Sequence, residues 1–480
     1  MNVSLLINGA DVAAIDNKTF DRLDPFTGSV ASTSPAGKVA DVNAACAAAA
    51  AAFPAWSETG PNERRKLLLK AADLLEAKTA EFIKLTMEET GATGPWSGFN
   101  VMFGAKILRE AACMTTMIHG EVIPSDKPGC FSMAIRQPAG VCVGMAPWNA
   151  PVILGVRSVA MALACGNTVV MKASETCPAT HMLIGKVLQE AGIPKGVINV
   201  VTHSREDAPQ VVEALIAHPA VRRVNFTGSS HVGRIVAQIA AKYLKPVLLE
   251  LGGKAPLLVL DDANIDDAVN GAAFGAFMHM GQICMSTERI VVDNKIADDF
   301  VGKLAAKANG LPFGDPRGKV VLGSLVSENA ANRMQELLDD AVSKGAKLVA
   351  GGKRYGTAWS ATLLDHVNPQ MKIYREESFG PVKSIIRVDG DDEAVSIAND
   401  TEYGLSSAVF SQNIQRAMAV AKRIQSGICH INGPTVNDEP QMPFGGTKDS
   451  GYGRFGGVGA IAEFTELRWV TIESHQHYPF

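Results

Sequence analysis

The chain has 480 residues, of which 47% are hydrophobic and 20% charged, and its formal net charge is −4. That length exceeds one ordinary core and predicts two or three domains. The composition excludes a disordered chain, and the slight acidity gives no electrostatic basis for binding nucleic acid or an anionic membrane.

The opening MNVSLLINGADV lacks the basic, apolar and cleavage regions of a secretory signal. The Ala44–Ala52 run is helix-forming but too short and too weakly apolar to span a bilayer, so no membrane segment is expected. Residues 62–91 carry apolar positions at helical spacing, with Gly91 as a stop, and the N-terminal third reads as mostly helical. The eight cysteines are scattered without a CxxC pair or a neighbouring His pair. This predicts no metal site and a reducing, cytoplasmic location.

From Val141 the pattern changes. VCVGMAP, TVVMKAS, VINVVT, RVNFTG, VLLEL and APLLVL are short apolar runs, separated in places by helical stretches at 178–191 and 231–243. Buried strands alternating with helices predict a mostly parallel, doubly wound sheet. Two chemical signals fall at strand ends. Gly228 and Gly233 bracket Ser229 where a helix would begin near Ser230, an arrangement that aims N–H groups and the helix dipole at an anion. Glu175, after TVVMK, could accept the hydroxyls of an adenosine ribose, and Glu250 stands at a spacing that fits the same role. Spacing does not choose between them.

A second alternating set follows: RIVVD, KLVAGG, VKSIIRV, SSAVFS and GICHIN. A second α/β domain is therefore expected. Between the two sets lies Cys284, in GQICMS, either an inert core thiol or a nucleophile. The closing RWVTIES reads as one exposed strand able to pair with another subunit, and His475 and His477 read as surface residues.

PWN at 147–149, FTGSSHVG at 226–233, ELGGK at 250–254, GQIC at 281–284, EESFGPV at 376–382 and MPFGGTKDSGYGR at 442–454 stand in one order. Together they resemble the NAD(P)-dependent aldehyde dehydrogenase superfamily across essentially the whole chain. CHINGPTVNDEPQMPFGG further resembles its branch acting on vanillin and salicylaldehyde. The resemblance implies two Rossmann-like α/β domains with a small β oligomerisation element. Residues 1–119 and 139–251 would form the NAD-binding domain, 252–449 the catalytic domain, and 120–138 with 466–480 the oligomerisation element of a homodimer or homotetramer.

It also implies roles. Cys284 matches the nucleophile, Asn149 the oxyanion-hole side chain and Glu250 the general base, which resolves the earlier choice of ribose acid in favour of Glu175. Lys172 and Glu175 match adenosine-ribose contacts, and Trp148, Gly228, Ser229 and Gly233 frame the NAD pyrophosphate. Glu377 and Phe379 match the pair that positions the nicotinamide ribose. Glu175 would repel a 2′-phosphate and so favours NAD. The expected substrate is an aromatic aldehyde, salicylaldehyde first among them. A thiol of lowered pKa and a Glu250 of raised pKa would suit this chemistry.

Two departures from the family pattern stand out. Phe455 and Ser158 replace an acid and a lysine that commonly pair, and losing both together avoids stranding a buried charge. Arg157 and Ala150 occupy positions where relatives carry aromatics. Ala150 opens space beside Asn149, and Arg157 would either bond a ring hydroxyl of the substrate or pair with Asp438 or Glu439. Phe444 and Trp96 are expected near the substrate. A cysteine hydrolase with His279 as base, or a catalytically silent relative, is the contrasting reading.

Overall fold

The computed structural model describes residues 1–474 and 478–480, so His475 and His477, read as surface residues, lie outside the described residues. The first sheet has a parallel centre in the order Ile198–Val201, Thr168–Lys172, Val141–Met145, Val221–Thr227, Val247–Glu250. The chain runs outward from Val141–Met145 in one direction, then returns to its other side with Val221–Thr227. This reversal makes a crevice at the C-terminal ends of those two strands, where doubly wound sheets bind ligands. Four of the five central strands are buried on both faces except at their margins, which is why they read as apolar runs, while Val221–Thr227 carries the exposed Arg222 and the half-buried Arg223.

The second sheet takes Lys347–Ala350, Thr362–Asp365, Val382–Val388, Arg289–Asp293, Pro256–Val259, Ser406–Phe410 and Ile428–Ile431 in that order. Only the pairing of Lys347–Ala350 with Thr362–Asp365 is antiparallel. The fold is thus mixed α/β with two parallel-centred sheets. The first sheet also recruits Gly451–Tyr452, which return antiparallel beside Val247–Glu250. The predicted helices stand at Pro178–Glu190 and Ser230–Lys242.

A third element is a three-stranded ribbon. Thr465–Glu473 pairs antiparallel with Cys130–Pro138 along nine residues, and Cys130–Pro138 pairs with Glu121–Val122. The last strand therefore finds its partner within its own chain and begins before Arg468.

Helices fill most of residues 39–114, as expected of the N-terminal third, but four short strands precede them, Leu5–Ile7, Ala10–Val12, Thr19–Leu23 and Val30–Pro35, and two helical readings are refined. The region 62–91 is two helices, Pro61–Ala77 and Thr79–Thr90, broken at Lys78 and stopped by Gly91 in the left-handed conformation at φ 74°. The alanine run is the middle of Val39–Ser57, long and apolar enough by length and composition to cross a bilayer. Its Val42, Ala45, Cys46 and Ala49 are buried in one cluster with Val141, Val143 and Val170 of the first sheet, so the sheet occupies its apolar face.

Candidate active site

Two cavities meet at one wall. The first, about 450 Å³, lies at the crevice of the first sheet and is lined among others by Trp148, Gly228, Ser229, Glu250, Glu377 and Phe379. The second, about 560 Å³, is lined among others by Trp96, Phe103, Ala150, Arg157, Asp438 and Phe444. Asn149, Leu154 and Cys284 line both. A group attacked by the Cys284 sulfur could therefore arrive from one side while a second molecule is held on the other.

Strand ends supply most of the first cavity. Trp148 and Asn149 follow Val141–Met145, Gly228 and Ser229 follow Val221–Thr227, and Glu250 ends its own strand. Ser229 Oγ accepts from the Val232 N–H at 3.3 Å and caps the helix Ser230–Lys242. Trp148 meets Phe379 edge to face at 5.7 Å. Phe379 itself holds φ 49°, a conformation that costs energy for a bulky residue and persists because its surroundings impose it.

Cys284 follows a turn in which His279, Met280 and Gly281 all have positive φ, at 48°, 55° and 72°. The turn is tied down on both sides. Asn149 Nδ2 donates to the Gln282 carbonyl at 2.9 Å, and the Val326 N–H donates to Gln282 Oε1 at 3.1 Å. Gly253 permits the closest approach: a Cβ there would stand 2.3 Å from the Cys284 carbonyl oxygen. The segment after Glu250 and the segment bearing Cys284 can thus touch only because that residue has no side chain.

Glu250 is 1% exposed, and neither carboxylate oxygen has a hydrogen-bond partner among the described residues. Burial pushes its carboxyl up to about 8, helped by Glu377 and Asp438 and opposed by Arg157 and the Cys284 thiol. Burial also holds the Cys284 thiol well above its ordinary value, and Glu250 and Glu377 add to that. This corrects the expectation of an acidified thiol. Burial first, and the two acids second, thus keep the sulfur protonated at rest, so a base would have to take its proton for it to attack.

The remaining positions sort as follows. Lys172 and Glu175 lie 3.9 Å apart at the next strand end but are not part of the first cavity's wall. Gly233 also lies outside that wall: it is buried in the helix, and a Cβ there would fall 2.4 Å from Leu251 Cδ2, so it permits close packing between helix and strand end. Gly233→Ala is expected to cost about 1–3 kcal/mol of stability, read as a lower denaturant midpoint.

Arg157 pairs with Asp438 and lies over the Phe444 ring, its Cζ 4.5 Å from the centroid. Of the two pairing acids considered, Asp438 is the one engaged. Arg157 still lines the second cavity, as do Ala150, Phe444 and Trp96. Trp96 does more than form a wall, since its Nε1 donates to the Asn149 carbonyl at 3.0 Å. Its ring stacks on His279 at 4.8 Å. His279 lines neither cavity, and burial lowers it to about 3, so it cannot serve as base to Cys284. At the departures, Ser158 Oγ donates to the Gly155 carbonyl at 2.8 Å, and buried Phe455 exchanges backbone bonds with Phe444.

Sequence reasoning missed Gln282, Arg333 and Tyr403, which contact the nucleophile turn or line the first cavity. Arg333 and Tyr403 sit in no recognisable motif. Only the Gln282 position, two residues before Cys284 in GQIC, offered a signal.

The aldehyde dehydrogenase family model matches residues 12–470. A vanillin dehydrogenase of Pseudomonas fluorescens is 59% identical, over 100% of each chain. The crystal structure of a salicylaldehyde dehydrogenase from Pseudomonas putida G7, complexed with salicylaldehyde, superposes with a TM-score of 0.98 at 50% identity, covering 100% of both chains. A crystal structure of PnpE in complex with nicotinamide adenine dinucleotide matches with a TM-score of 0.95 at 38% identity, covering 100% of this chain and 99% of that one.

Proposed function

The chain belongs to the aldehyde dehydrogenase family, and we propose that it oxidises a ring-hydroxylated benzaldehyde to the carboxylate with NAD, salicylaldehyde and vanillin being the leading candidates. The observation that carries this reading is the pair of cavities that share Cys284 and Asn149.

The first cavity fits a dinucleotide. It presents Trp148, Ser229 at a helix start, and the half-buried Glu377, and a Cβ on Gly252 would fill it to within 2.9 Å of Glu377 Oε2. Trp148, Gly228, Ser229, Glu377 and Phe379 would hold the cofactor, with Lys172 and Glu175 at the adenosine end. When bound, NAD supplies the hydride acceptor.

Glu250 takes the thiol proton and releases it to solvent before the second half of the reaction, and Cys284 Sγ forms a bond to the aldehyde carbon. The carbonyl becomes a tetrahedral alkoxide, from which hydride loss is easy. One N–H of the Asn149 amide is committed to Gln282, leaving the other, with the Cys284 backbone N–H, for that oxygen. The thioester left on sulfur is then attacked by water, from which Glu250 removes a proton, and the acid departs with the thiol restored. Because Ser158 and Phe455 carry no charge, the Arg157–Asp438 pair is the charged partner nearest this step on the substrate side.

Beyond the shared Asn149 and Cys284, the second cavity is apolar and aromatic apart from Arg157, Asp438, Asn437 and Lys106. A ring fits beside Ala150, and its hydroxyl would meet the Arg157–Asp438 pair. Arg157→Ala is expected to reduce kcat/KM for salicylaldehyde and vanillin about tenfold or more, as loss of a charge-assisted hydrogen bond implies, and for benzaldehyde much less. A panel of these aldehydes with straight-chain ones tests the reading. Equal losses across the panel overturn the hydroxyl contact, and a preference for straight-chain aldehydes overturns the aromatic substrate.

The same proposal reads the ribbon as a contact between subunits of a homodimer or homotetramer. Leu467, Trp469, Ile472 and Phe131 stand exposed along its strands, an apolar surface of the kind that marks association.

A further inference from the structure

Beneath the first cavity lies a cluster of charged residues that no step above uses. Lys254, Glu288 and Lys383 are each no more than 2% exposed. Lys254 Nζ donates to Glu288 Oε2 at 2.7 Å, and Lys383 Nζ donates to Glu288 Oε1. Glu288 also accepts from Ser378, from its N–H at 2.9 Å and its hydroxyl at 2.6 Å. Ser378 stands between Glu377 and Phe379. Lys254 directly follows Gly253, whose N–H donates to Glu377 Oε1 at 2.9 Å.

The nucleophile turn passes close to the same cluster but takes its own hydrogen bonds from Asn149 and Val326. A Cβ on Gly281 would stand 2.3 Å from the Gly380 carbonyl oxygen and 2.9 Å from Lys383 Nζ. Two ammonium groups share one carboxylate here. A buried cluster with one cation in excess is costly unless a further anion balances it. Glu377, one residue from Ser378 and half-buried in the wall of the first cavity, is the carboxylate in position to do so.

We propose that Lys383 is a positioning residue for the cofactor: acting through Glu288 and Ser378, it holds the Glu377 carboxylate and the Phe379 backbone in the orientation that receives the nicotinamide ribose. This rests on the reading that Glu377 and Phe379 face the bound dinucleotide. The charge balance agrees with it. Burial pushes Glu377 up to about 7 and the Glu288 charge adds to that, while the Gly253 N–H, Lys254 and Lys383 pull it back toward the ionised form. Without Lys383 the carboxylate would lose a cation that keeps it ionised, and the Ser378 loop would lose the partner that fixes Glu288.

The test is equilibrium binding of NAD, followed by tryptophan fluorescence, with alkylation of Cys284 by iodoacetamide in the absence of NAD as the second readout. Lys383→Met is expected to weaken NAD binding about tenfold or more while alkylation changes less than about twofold. Glu377→Gln is expected to weaken binding similarly, and the double variant no further than Glu377→Gln alone, because one residue acts through the other. Ser378→Ala should shift binding in the same direction, and it decides the matter if Lys383→Met does not fold. Additive losses in the double variant, a parallel fall in alkylation, or unchanged binding in Lys383→Met overturns the positioning role. Unchanged binding in Glu377→Gln overturns instead the reading that Glu377 faces the cofactor.

Discussion

Replacing Cys284 with alanine is expected to lower kcat/KM for an aromatic aldehyde by at least about four orders of magnitude, the scale seen when a covalent nucleophile is removed. The geometry leaves no substitute. Only Asn149, Leu154 and Cys284 border both cavities, and of these the thiol alone can form and release a bond to carbon. Serine should rescue little. Its hydroxyl is far less acidic than a thiol, and Glu250, held up at about 8, is a base of moderate strength. In the native protein, rapid acid quenching followed by mass spectrometry should find the acyl group of the substrate on the peptide containing Cys284. An alanine variant with activity within tenfold of the native enzyme, or an adduct on another residue, would remove the basis for the covalent route.

How far this site was legible in the sequence depends on whether the information was local. The strands around it were visible because sheets covered on both faces need unbroken apolar runs, as in Val141–Met145 and Arg289–Asp293. The residues at their ends were visible because each motif keeps its glycine, glutamate or asparagine at a fixed offset from such a run. The N-terminal strands were not visible. Thr19–Leu23 alternates between exposed and half-buried positions, and its pairing with Val30–Pro35 leaves no apolar run to read. Thr362–Asp365 escaped for another reason: it is four residues long, too short to carry a period. The cluster under Glu377 is the extreme case. Glu288 and Lys383 are 95 positions apart, and each looks like an ordinary surface charge until the second sheet sets Arg289–Asp293 beside Val382–Val388. The same holds for Arg157 and Asp438, joined across 281 positions. Asp438 could be suspected from the sequence but not chosen over Glu439, because pairing is decided by which carboxylate the turn before Phe444 points inward.

Glu250→Gln is expected to separate the two halves of the reaction. The amide cannot take a proton from water, so hydrolysis of the thioester should fall by about 10²–10⁴. Acylation should suffer less, since aldehyde addition can proceed from the small fraction of thiolate present. The visible result is a burst of NADH near one per active site followed by a stalled rate, with the acylated Cys284 peptide accumulating. In the native enzyme the base is competent only when ionised, so kcat/KM should rise with pH up to about pH 8 and then level, and the variant should lose that rise. Stability should move in the opposite sense. The folded carboxyl, raised from 4.5 to about 8, keeps a proton that the unfolded chain releases, so between those values unfolding becomes easier as pH increases. The penalty is complete above about pH 8 and on the order of a few kcal/mol. Glutamine never ionises, so the variant should melt higher than the native protein at about pH 9 and at nearly the same temperature at about pH 4. A buried carboxylate with no hydrogen-bond partner is a poor choice for a stable core. Its retention here is explained by the proton it must carry, and a variant that gained stability without losing hydrolysis would show that explanation to be wrong.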